Sequence, residues 1–385
     1  MKVTQIKDLV NDSLKESIGT SALLNEDLSN VVDTGKEIFS QDDNTIDNFV
    51  HKLVDRVGLT VFNNRIYQGS APSILASSWE FGSVLEKVDA EPQDAEENDS
   101  WNLKDGKSYD PNIFYQPKVT AKFFNSKITF DIPLSFTQMQ VKSAFNSASE
   151  LNGFMSMLMN TVTNSMTVNL DNLIMRTINN MTAQTINGAK GLTVVNLLDG
   201  YNKQSGQTLT SAKALQDKDF IRYANLVVNT YKDRISKIST LFNQGGKKRF
   251  TPSTNQHLVL LSDFASASKV YLESDTIHND NVQLTNYETV PYWQGSGTDY
   301  GFDSISSIDV SIKDGSSTKE VKASGILGLL FDTNATMVSC SNQRVTTNFN
   351  PKAEFYTNFT KYDASYLNDL NENFIVFMIK DTVKA

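Results

Sequence analysis

The sequence has one cysteine, eight prolines and three histidines among its 385 residues. The lone cysteine, Cys340, cannot form an intramolecular disulfide, so no covalent framework of that kind holds the fold. The histidines, His51, His257 and His278, lie in different segments, and none has a second plausible ligand at zinc spacing. We therefore expect no metal site and no cofactor.

Long hydrophobic runs are missing as well. No stretch approaches the roughly 18 apolar residues that a membrane span needs, and residues 1–5 lack the apolar core of a secretory signal. We expect no membrane partner and a product that stays in the cytoplasm after synthesis. With 39% hydrophobic and 21% charged residues, the composition is that of a folded soluble protein, and the length favours two or three domains.

Motifs of enzymes are also lacking. The stretch Gly245-Gly246-Lys247-Lys248 has neither the upstream glycine nor the following hydroxyl residue of a phosphate-binding loop, so it predicts a helix end and a turn. No serine lies in the glycine-flanked elbow of the hydrolases. We expect no catalytic residue and no enzyme activity.

Negative charge is unevenly distributed along the chain. The net charge is −9, and residues 86–100 hold seven acidic residues and one lysine. Such a stretch cannot bury enough apolar surface to fold alone, so it predicts a solvated loop tip or a segment that a partner orders. A calcium loop is the alternative, but its alternating oxygen ligands and glycine turn are missing.

The most informative feature that is present is an apolar stripe between Ser147 and Met181. Its members recur at helical spacing and would line one side of a rod roughly 50 Å long. Ser147 and Glu150 have the spacing of a capping box, which predicts where the helix begins. The stripe consists of Leu151, Met155, Leu158, Val162, Met166, Leu170, Leu173, Ile178 and Met181.

Two segments that alternate between apolar and polar residues flank the acidic stretch. They predict a long two-stranded arm with a turn or bulge at Asn125–Ser126. An isolated ribbon has one face that nothing covers, so we expect a second subunit to lie against its aromatic residues. The apolar residues are Ile74, Leu75, Trp79, Phe81 and Val84 upstream, and Val119, Ala121, Phe123, Ile128, Phe130 and Ile132 downstream.

The first 58 residues predict a second outward-reaching arm. A short amphipathic helix containing Ile6 and Leu9 ends near Gly19, and another helix stops at Gly58. Each is too short to be stable without tertiary packing. Ile6 and Leu9 are therefore candidate contacts with another subunit.

The second half of the chain divides into two patterns. From Gly188 to about Ser339, helices alternate with short strands, including a helix over 220–241 closed by Gly245 and Gly246, which favours a mixed helix and sheet domain. An Asp314-Gly315 turn predicts a hairpin there. From Arg344 to Lys380 the pattern returns to long strands, which we expect to form a terminal sheet against the long helix.

This order of elements resembles the major capsid proteins of tailed bacteriophages, of the Hong Kong ninety-seven type. Two stretches, residues 47–59 (DNFVHKLVDRVGL) and 325–332 (GILGLLFD), are similar to capsid proteins of small short-tailed phages, the podoviruses. The resemblance implies an α+β capsid fold. Its parts are an N-terminal arm (1–58), an extended hairpin loop (59–130), a peripheral domain with a spine helix (131–190 and 340–385) and an axial domain (191–339).

The resemblance also implies partners. The subunit would assemble with itself into pentamers and hexamers of an icosahedral head, with a portal protein at one vertex. It would enclose double-stranded DNA without binding it specifically, which an isoelectric point near 5.0 fits. Since no cleaved N-terminal scaffold segment is expected, a separate scaffolding protein would guide assembly in the host cytoplasm before the subunit becomes part of the virion. We expect no covalent cross-links.

Two other classes stay open at this stage. An encapsulin-like nanocompartment would share the fold and enclose protein cargo, and richness in Asn, Ser and Thr suggests a surface-binding module. For the capsid class, the predicted subunit contacts are Trp79, Phe81, Phe123, Phe130, Ile6 and Leu9.

Overall fold

The computed structural model describes residues 3–19, 23–63, 71–76, 85–90, 92–93, 95, 97–273, 284, 286–294, 302–314 and 317–381. Within these residues the chain forms ten α-helices and thirteen β-strands. The mixture of helices and sheets confirms the predicted α+β class. None of the described helices is both long enough and apolar enough to cross a membrane.

Three helices open the chain: α1 (Val3–Ser17), α2 (Val31–Phe39) and α3 (Asp43–Asn63). The apolar stripes of α1 and α3 face each other. Ile6, on α1, is fully buried in the core that these two helices share with the start of the predicted long helix. Arg56 ties α3 to α1 through Asp12 (3.3 Å) and Glu16. The segment predicted as an outward arm therefore folds on its own subunit. The predicted stop at Gly58 is also wrong, because a helix held by tertiary packing tolerates one glycine.

The predicted long helix is confirmed. It is α5 (Ala148–Asn187), preceded by the short α4 (Gln138–Ala144). At 40 residues α5 is roughly 60 Å long. The Ser147 hydroxyl caps it by accepting a hydrogen bond from the Glu150 backbone N–H at 3.2 Å. All nine apolar residues of the predicted stripe are buried.

A four-stranded sheet packs against α5. Its order is β1-β11-β12-β4, with β1 parallel to β11 and the other pairs antiparallel. The side chains along β12 alternate between buried and half-buried, as expected for a sheet with one face on a helix. The strands are β1 (Leu75–Ala76), β4 (Lys127–Thr137), β11 (Thr336–Asn350) and β12 (Phe355–Asn368).

A five-stranded sheet of order β5-β13-β10-β6-β7 forms the centre of the second half. Its strands are β5 (Val194–Asn196), β6 (Gln256–Leu261), β7 (Glu288–Val290), β10 (Ile326–Asp332) and β13 (Phe374–Met378). The sequence predicted that the last strand would join the terminal sheet, and this was wrong. All five residues of β13 are buried, and a continuous apolar run suits a central strand covered on both faces.

Five helices accompany this second sheet: α6 (Leu197–Ser205), α7 (Ser211–Ala214), α8 (Lys218–Ile235), α9 (Ser262–Glu273) and α10 (Phe302–Ile305). Helix α8 ends earlier than predicted. The Thr251 backbone N–H donates to the Ile235 carbonyl at 2.8 Å, and Ser239 and Arg249 form an isolated antiparallel β-bridge. The chain therefore forms a loop after the helix. Gly246, with φ +63°, makes a turn within that loop and does not end a helix.

Two separate hairpins complete the described structure. One pairs β2 (Leu85–Ala90) with β3 (Val119–Phe124), and the other pairs β8 (Ile308–Asp314) with β9 (Ser317–Ala323). The first has a connection of 28 residues between its strands, whereas the second has two. The predicted turn residue Gly315 lies outside the described residues.

Helix α5 belongs to two apolar cores. Its first half, with Leu151, Met155 and Leu158, packs on the N-terminal helices. Its second half, from Met166 to Ala183, packs with residues of both large sheets and of the β8–β9 hairpin. The spine helix therefore links the N-terminal region to the second half of the chain.

Candidate assembly interface on the extended hairpin

The β2–β3 hairpin has two faces that are set by its antiparallel register. Glu86 lies opposite Phe123, Lys87 opposite Lys122, and Val88 opposite Ala121. Because successive side chains of a strand point to opposite faces, each cross-strand pair shares one face. We call β2, β3 and the connecting residues 91–118 the extended hairpin.

The outward face of the extended hairpin is exposed and mainly apolar, with Glu86 as the one charged residue that β2 and β3 place on it. Phe123 is 62% exposed, Val88 60% and Val119 54%. Ala121, opposite Val88, is also exposed. A ribbon that turns such a row of side chains to solvent leaves a surface that another molecule can cover.

The tip of the extended hairpin adds further exposed apolar side chains. Trp101 is 93% exposed and Phe114 84%, and polar contacts also form within the tip. The Asn98 side chain accepts from the Ser100 backbone N–H at 2.8 Å, and Lys107 pairs with Asp99. The remaining exposed apolar residues are Leu103, Tyr109, Ile113 and Tyr115.

The inward face of the extended hairpin is charged. Lys87 reaches Asp369 at 3.0 Å and Glu372 at 2.6 Å, and Lys122 reaches Asp369 at 2.9 Å. Asp369 is fully buried in the connection between β12 and β13. Electrostatic contacts therefore join the base of the hairpin to the body of the subunit.

A second ion pair extends this contact. Asp89, on the same face as Lys87, accepts from Arg249 at 2.6 Å, and Arg249 also lies 3.6 Å from Glu372. We call these six residues the ion network: Lys87, Asp89, Lys122, Arg249, Asp369 and Glu372. Their formal charges sum to zero.

The network shifts the ionisation of two of its members. Burial raises the pKa of Asp369, but the hydrogen bond from Lys122 and the charge of Lys87 outweigh it, so the pKa is lowered. Burial lowers the pKa of Lys87, but the hydrogen bond to Glu372 and the charges of Glu372 and Asp369 outweigh it, so the pKa is raised. Both shifts favour the charged forms.

Three carboxylates of the network are a possible metal donor set. Asp89, Asp369 and Glu372 bring ligand oxygens within 4.8 Å of one another. Each of the three, however, already contacts a lysine or arginine of the network, and these cations balance the negative charge. The arrangement is therefore explained by side-chain ion pairing.

The segment just before β1 is held by a separate polar contact. The Ser73 backbone N–H donates to Glu288 Oε2 at 2.7 Å, and His257 Nε2 lies 3.0 Å from the same oxygen. Burial raises the pKa of Glu288, but the hydrogen bonds from His257 and Ser73 outweigh it and lower the pKa to about 2. His257 also stacks on Phe331, so this histidine belongs to a structural contact.

The six predicted contact residues separate into four groups. Phe123 lies on the exposed apolar face, whereas Trp79 and Phe81 lie outside the described residues. Ile6 is 0% and Leu9 9% exposed, because α3 and α5 of the same chain cover them.

Phe130 belongs to the four-stranded sheet. It lies on β4, is half-buried and stacks on Tyr362 with ring centroids 5.2 Å apart. Sequence reasoning missed Trp101 and Phe114, although aromatic residues in a polar stretch were a usable signal. It also missed Asp369 and Glu372, whose lysine partners lie more than 240 residues away in sequence.

Comparisons with known proteins agree with this architecture. The family model of Phi29-like phage major capsid proteins matches residues 7–378. The capsid structure of Staphylococcus phage Andhra is similar with a TM-score of 0.54 and 12% identity, over 82% of this chain and 86% of that one. The capsid structure of the cyanophage P-SCSP1u gives a TM-score of 0.43 and 10% identity, over 82% and 88%. A search of curated protein sequences found no match.

The family match extends over nearly the whole chain, including the extended hairpin, the spine helix and both large sheets. It confirms the resemblance to tailed-phage head proteins, and among the classes left open by the sequence it supports the phage head. The chain belongs to the Phi29-like phage major capsid proteins and serves as a structural subunit of the head shell.

Proposed function

We propose that the subunit joins its neighbours in the shell by laying the outward face of the extended hairpin on a second copy of the chain. One observation carries this proposal: the hairpin directs both of its strand lysines toward its own subunit and leaves Phe123, Val88 and Val119 exposed on the opposite face. A ribbon that served only its own subunit would have the opposite polarity, because apolar side chains gain most from burial.

The apolar area supplies the driving force. Phe123, Val88 and Val119 each expose more than half of their surface, and burial stabilises by roughly 25 cal/mol per Å² of apolar area. The exposed Trp101 and Phe114 extend the proposed contact to the tip. Each contact is modest, but repetition in a closed lattice makes the total large.

The proposed surface differs from the set of residues that the sequence suggested. Trp79 and Phe81 remain candidates. Ile6, Leu9 and Phe130 are left out, because side chains of the same subunit cover or stack on them.

The remaining assembly contacts are proposed from the family. The axial region, about 191–339, would meet its copies around five-fold and quasi-six-fold centres, giving pentamers and hexamers. The peripheral region would meet its copies at three-fold contacts. A separate scaffolding protein and a portal protein are proposed partners during assembly in the host cytoplasm.

Charge supports a container that does not bind its DNA specifically. The net charge is −9, and in the one compact basic cluster, Lys247–Arg249, the arginine is directed to Asp89 and Glu372. Tight binding to many phosphates needs a clustered basic surface. We propose that the shell retains double-stranded DNA because it is a closed container, without specific contacts to the DNA. We also propose that the subunit has no enzyme activity.

The substitution Phe123→Asp tests the docking proposal. It replaces the largest apolar side chain that the two strands place on the outward face by a charge, which a neighbour would have to desolvate. We expect a folded, soluble subunit that fails to form shells when it is expressed with the scaffolding protein. Sedimentation measures the assembled fraction, and negative-stain electron microscopy identifies the particles.

Thr318→Asp is the matched control. It adds the same charge to an exposed strand position of the β8–β9 hairpin, opposite Lys313, and should assemble as the unmodified chain does. Normal shells from Phe123→Asp would refute the role of the outward face.

A further inference from the structure

We propose that the ion network is a preorganising latch, which fixes the direction of the extended hairpin in the free subunit before a second copy docks on it. This inference rests on the proposed docking of the hairpin. It concerns a different property, namely the orientation of the hairpin while the subunit is alone. The network joins two residues of β2 and one of β3 to three residues of the body.

The strand register places two like charges side by side in the extended hairpin. Lys87 and Lys122 lie directly opposite each other, and like charges at such positions destabilise a two-stranded ribbon. Both ammonium groups contact the buried carboxylate of Asp369, at 3.0 and 2.9 Å. The lysine pair therefore becomes favourable only when the hairpin lies against the body.

The two sides of the ion network have complementary formal charges. The hairpin contributes Lys87, Lys122 and Asp89, with a formal charge of +1. The body contributes Arg249, Asp369 and Glu372, with a formal charge of −1. Since neither half is neutral alone and the two halves are complementary, the network favours one docked position of the hairpin base.

The body side of the latch is held in place by the backbone. The Asp369 N–H donates to the Ala335 carbonyl at 2.8 Å, and the Glu372 N–H donates to the Asp369 carbonyl at 3.1 Å. The Asn371 N–H donates to the Asp369 carboxylate at 3.1 Å. The carboxylates that receive the lysines are thus held in place within a tight turn.

Fixing the hairpin in advance lowers the cost of assembly. A segment that is already held in its bound direction loses less conformational entropy when a partner docks. The latch therefore predicts that loosening the base of the hairpin slows shell formation without changing the outward apolar face.

The latch can be measured in isolated full-length subunits. Spin labels are placed at Ala121→Cys, on the outward face of β3, and at Asn164→Cys, on an exposed position of α5. Cys340 is buried and stays in place, and a sample without the two added cysteines reports its background labelling. Double electron–electron resonance then gives the distribution of the distance between hairpin and spine.

The test variant is Lys87→Gln/Lys122→Gln, and the matched control is Lys104→Gln/Lys118→Gln, at two exposed hairpin positions outside the network. We expect the distance distribution of the test variant to broaden by about twofold, because more hairpin orientations become populated. The control should keep the original width. If the test variant does not fold, the triple variant Lys87→Gln/Lys122→Gln/Asp369→Asn removes the buried carboxylate charge as well.

Shell formation is measured separately by light scattering. We expect assembly of the test variant to slow by roughly tenfold at equal subunit concentration. An unchanged distance distribution in a folded test or triple variant would overturn the latch, whatever the assembly result. If the distribution broadens while Phe123→Asp still forms normal shells, the docking proposal fails and the latch stands.

Discussion

The two hairpins of this chain are built in opposite ways. In the β8–β9 hairpin, Ile308, Ile312 and Val321 are buried among apolar residues that include the second half of α5. In the extended hairpin, Val88, Val119 and Phe123 are exposed on the outward face, and Lys87, Asp89 and Lys122 form ion pairs on the inward face. Both hairpins follow the same two-residue alternation, and they differ in which face meets their own subunit.

The ion pairs of the two hairpins show the same reversal. On the outer face of β8–β9, Lys322 bridges Asp309 (3.1 Å) and Glu320 (3.2 Å), and all three side chains are at least half-exposed. The ion network of the extended hairpin instead faces inward and includes a fully buried carboxylate. The polarity of a hairpin thus shows whether its own subunit covers its apolar face.

The largest expected effect comes from one substitution made in both hairpins. Val321→Asp introduces a charge on the buried face of β9, and we expect it to lower the free energy of unfolding by about 3 kcal/mol or more. Val119→Asp introduces the same charge on the outward face of β3, where Val119 is 54% exposed, and should change stability by less than about 0.5 kcal/mol. Urea denaturation of the isolated subunits measures both values, and equal losses would contradict the comparison.

Acid should destabilise the two hairpins at different pH values, and we expect this difference to be smaller than the effect of the substitutions. Because the pKa of Asp369 is lowered from 3.8 in the folded state, its contribution to stability is present above pH 3.8 and is lost as the pH falls through its folded pKa. The buried residues of β8–β9, Ile308, Ile312 and Val321, do not titrate, and Lys319, which lies opposite Ile312, is exposed. Hydrogen exchange, corrected for intrinsic rates, should show residues 85–90 losing protection at a higher pH than residues 308–314. Simultaneous loss in both segments would argue against an ionic attachment.

The smallest effect is expected on the outer face of β8–β9. Lys322→Gln removes both exposed ion pairs, and surface pairs of this kind contribute little because water screens them. The midpoint of thermal unfolding should stay within experimental error of the unmodified chain. A clear drop in that midpoint would show that exposed pairs stabilise this hairpin as buried ones do.

Periodicity predicted those parts of the fold that depend on local pattern. The stripe of α5 was predicted residue by residue, because a helix with one buried face repeats its apolar positions along the chain. Strand β3, with Lys122, lies within a predicted strand, whereas β2 extends past Val88 and overlaps the acidic stretch that was predicted as a loop tip. The continuous apolar run of β13 indicated that this strand is buried, but it did not indicate which sheet the strand joins, since a short apolar strand fits the centre of any sheet.

The candidate site was predictable only in part for a similar reason. Alternation placed Phe123 and Lys122 on opposite faces, but it could not say which face meets the subunit. That choice depends on Asp369 and Glu372, which reach the hairpin through the turn that precedes β13. The N-terminal helices were predicted to contact another subunit. Their apolar stripes indicate that something covers them, but they do not reveal that it is α5 of the same chain.

The spine helix has a mechanical consequence. It is a stiff rod whose two halves are embedded in different cores, so neither core can rotate without carrying the other. Over a length of roughly 60 Å, a tilt of about 1° at one end displaces the other end by about 1 Å. A rigid α5 would therefore act as a lever, in which a small angular change among the N-terminal helices becomes a linear displacement of the five-stranded sheet.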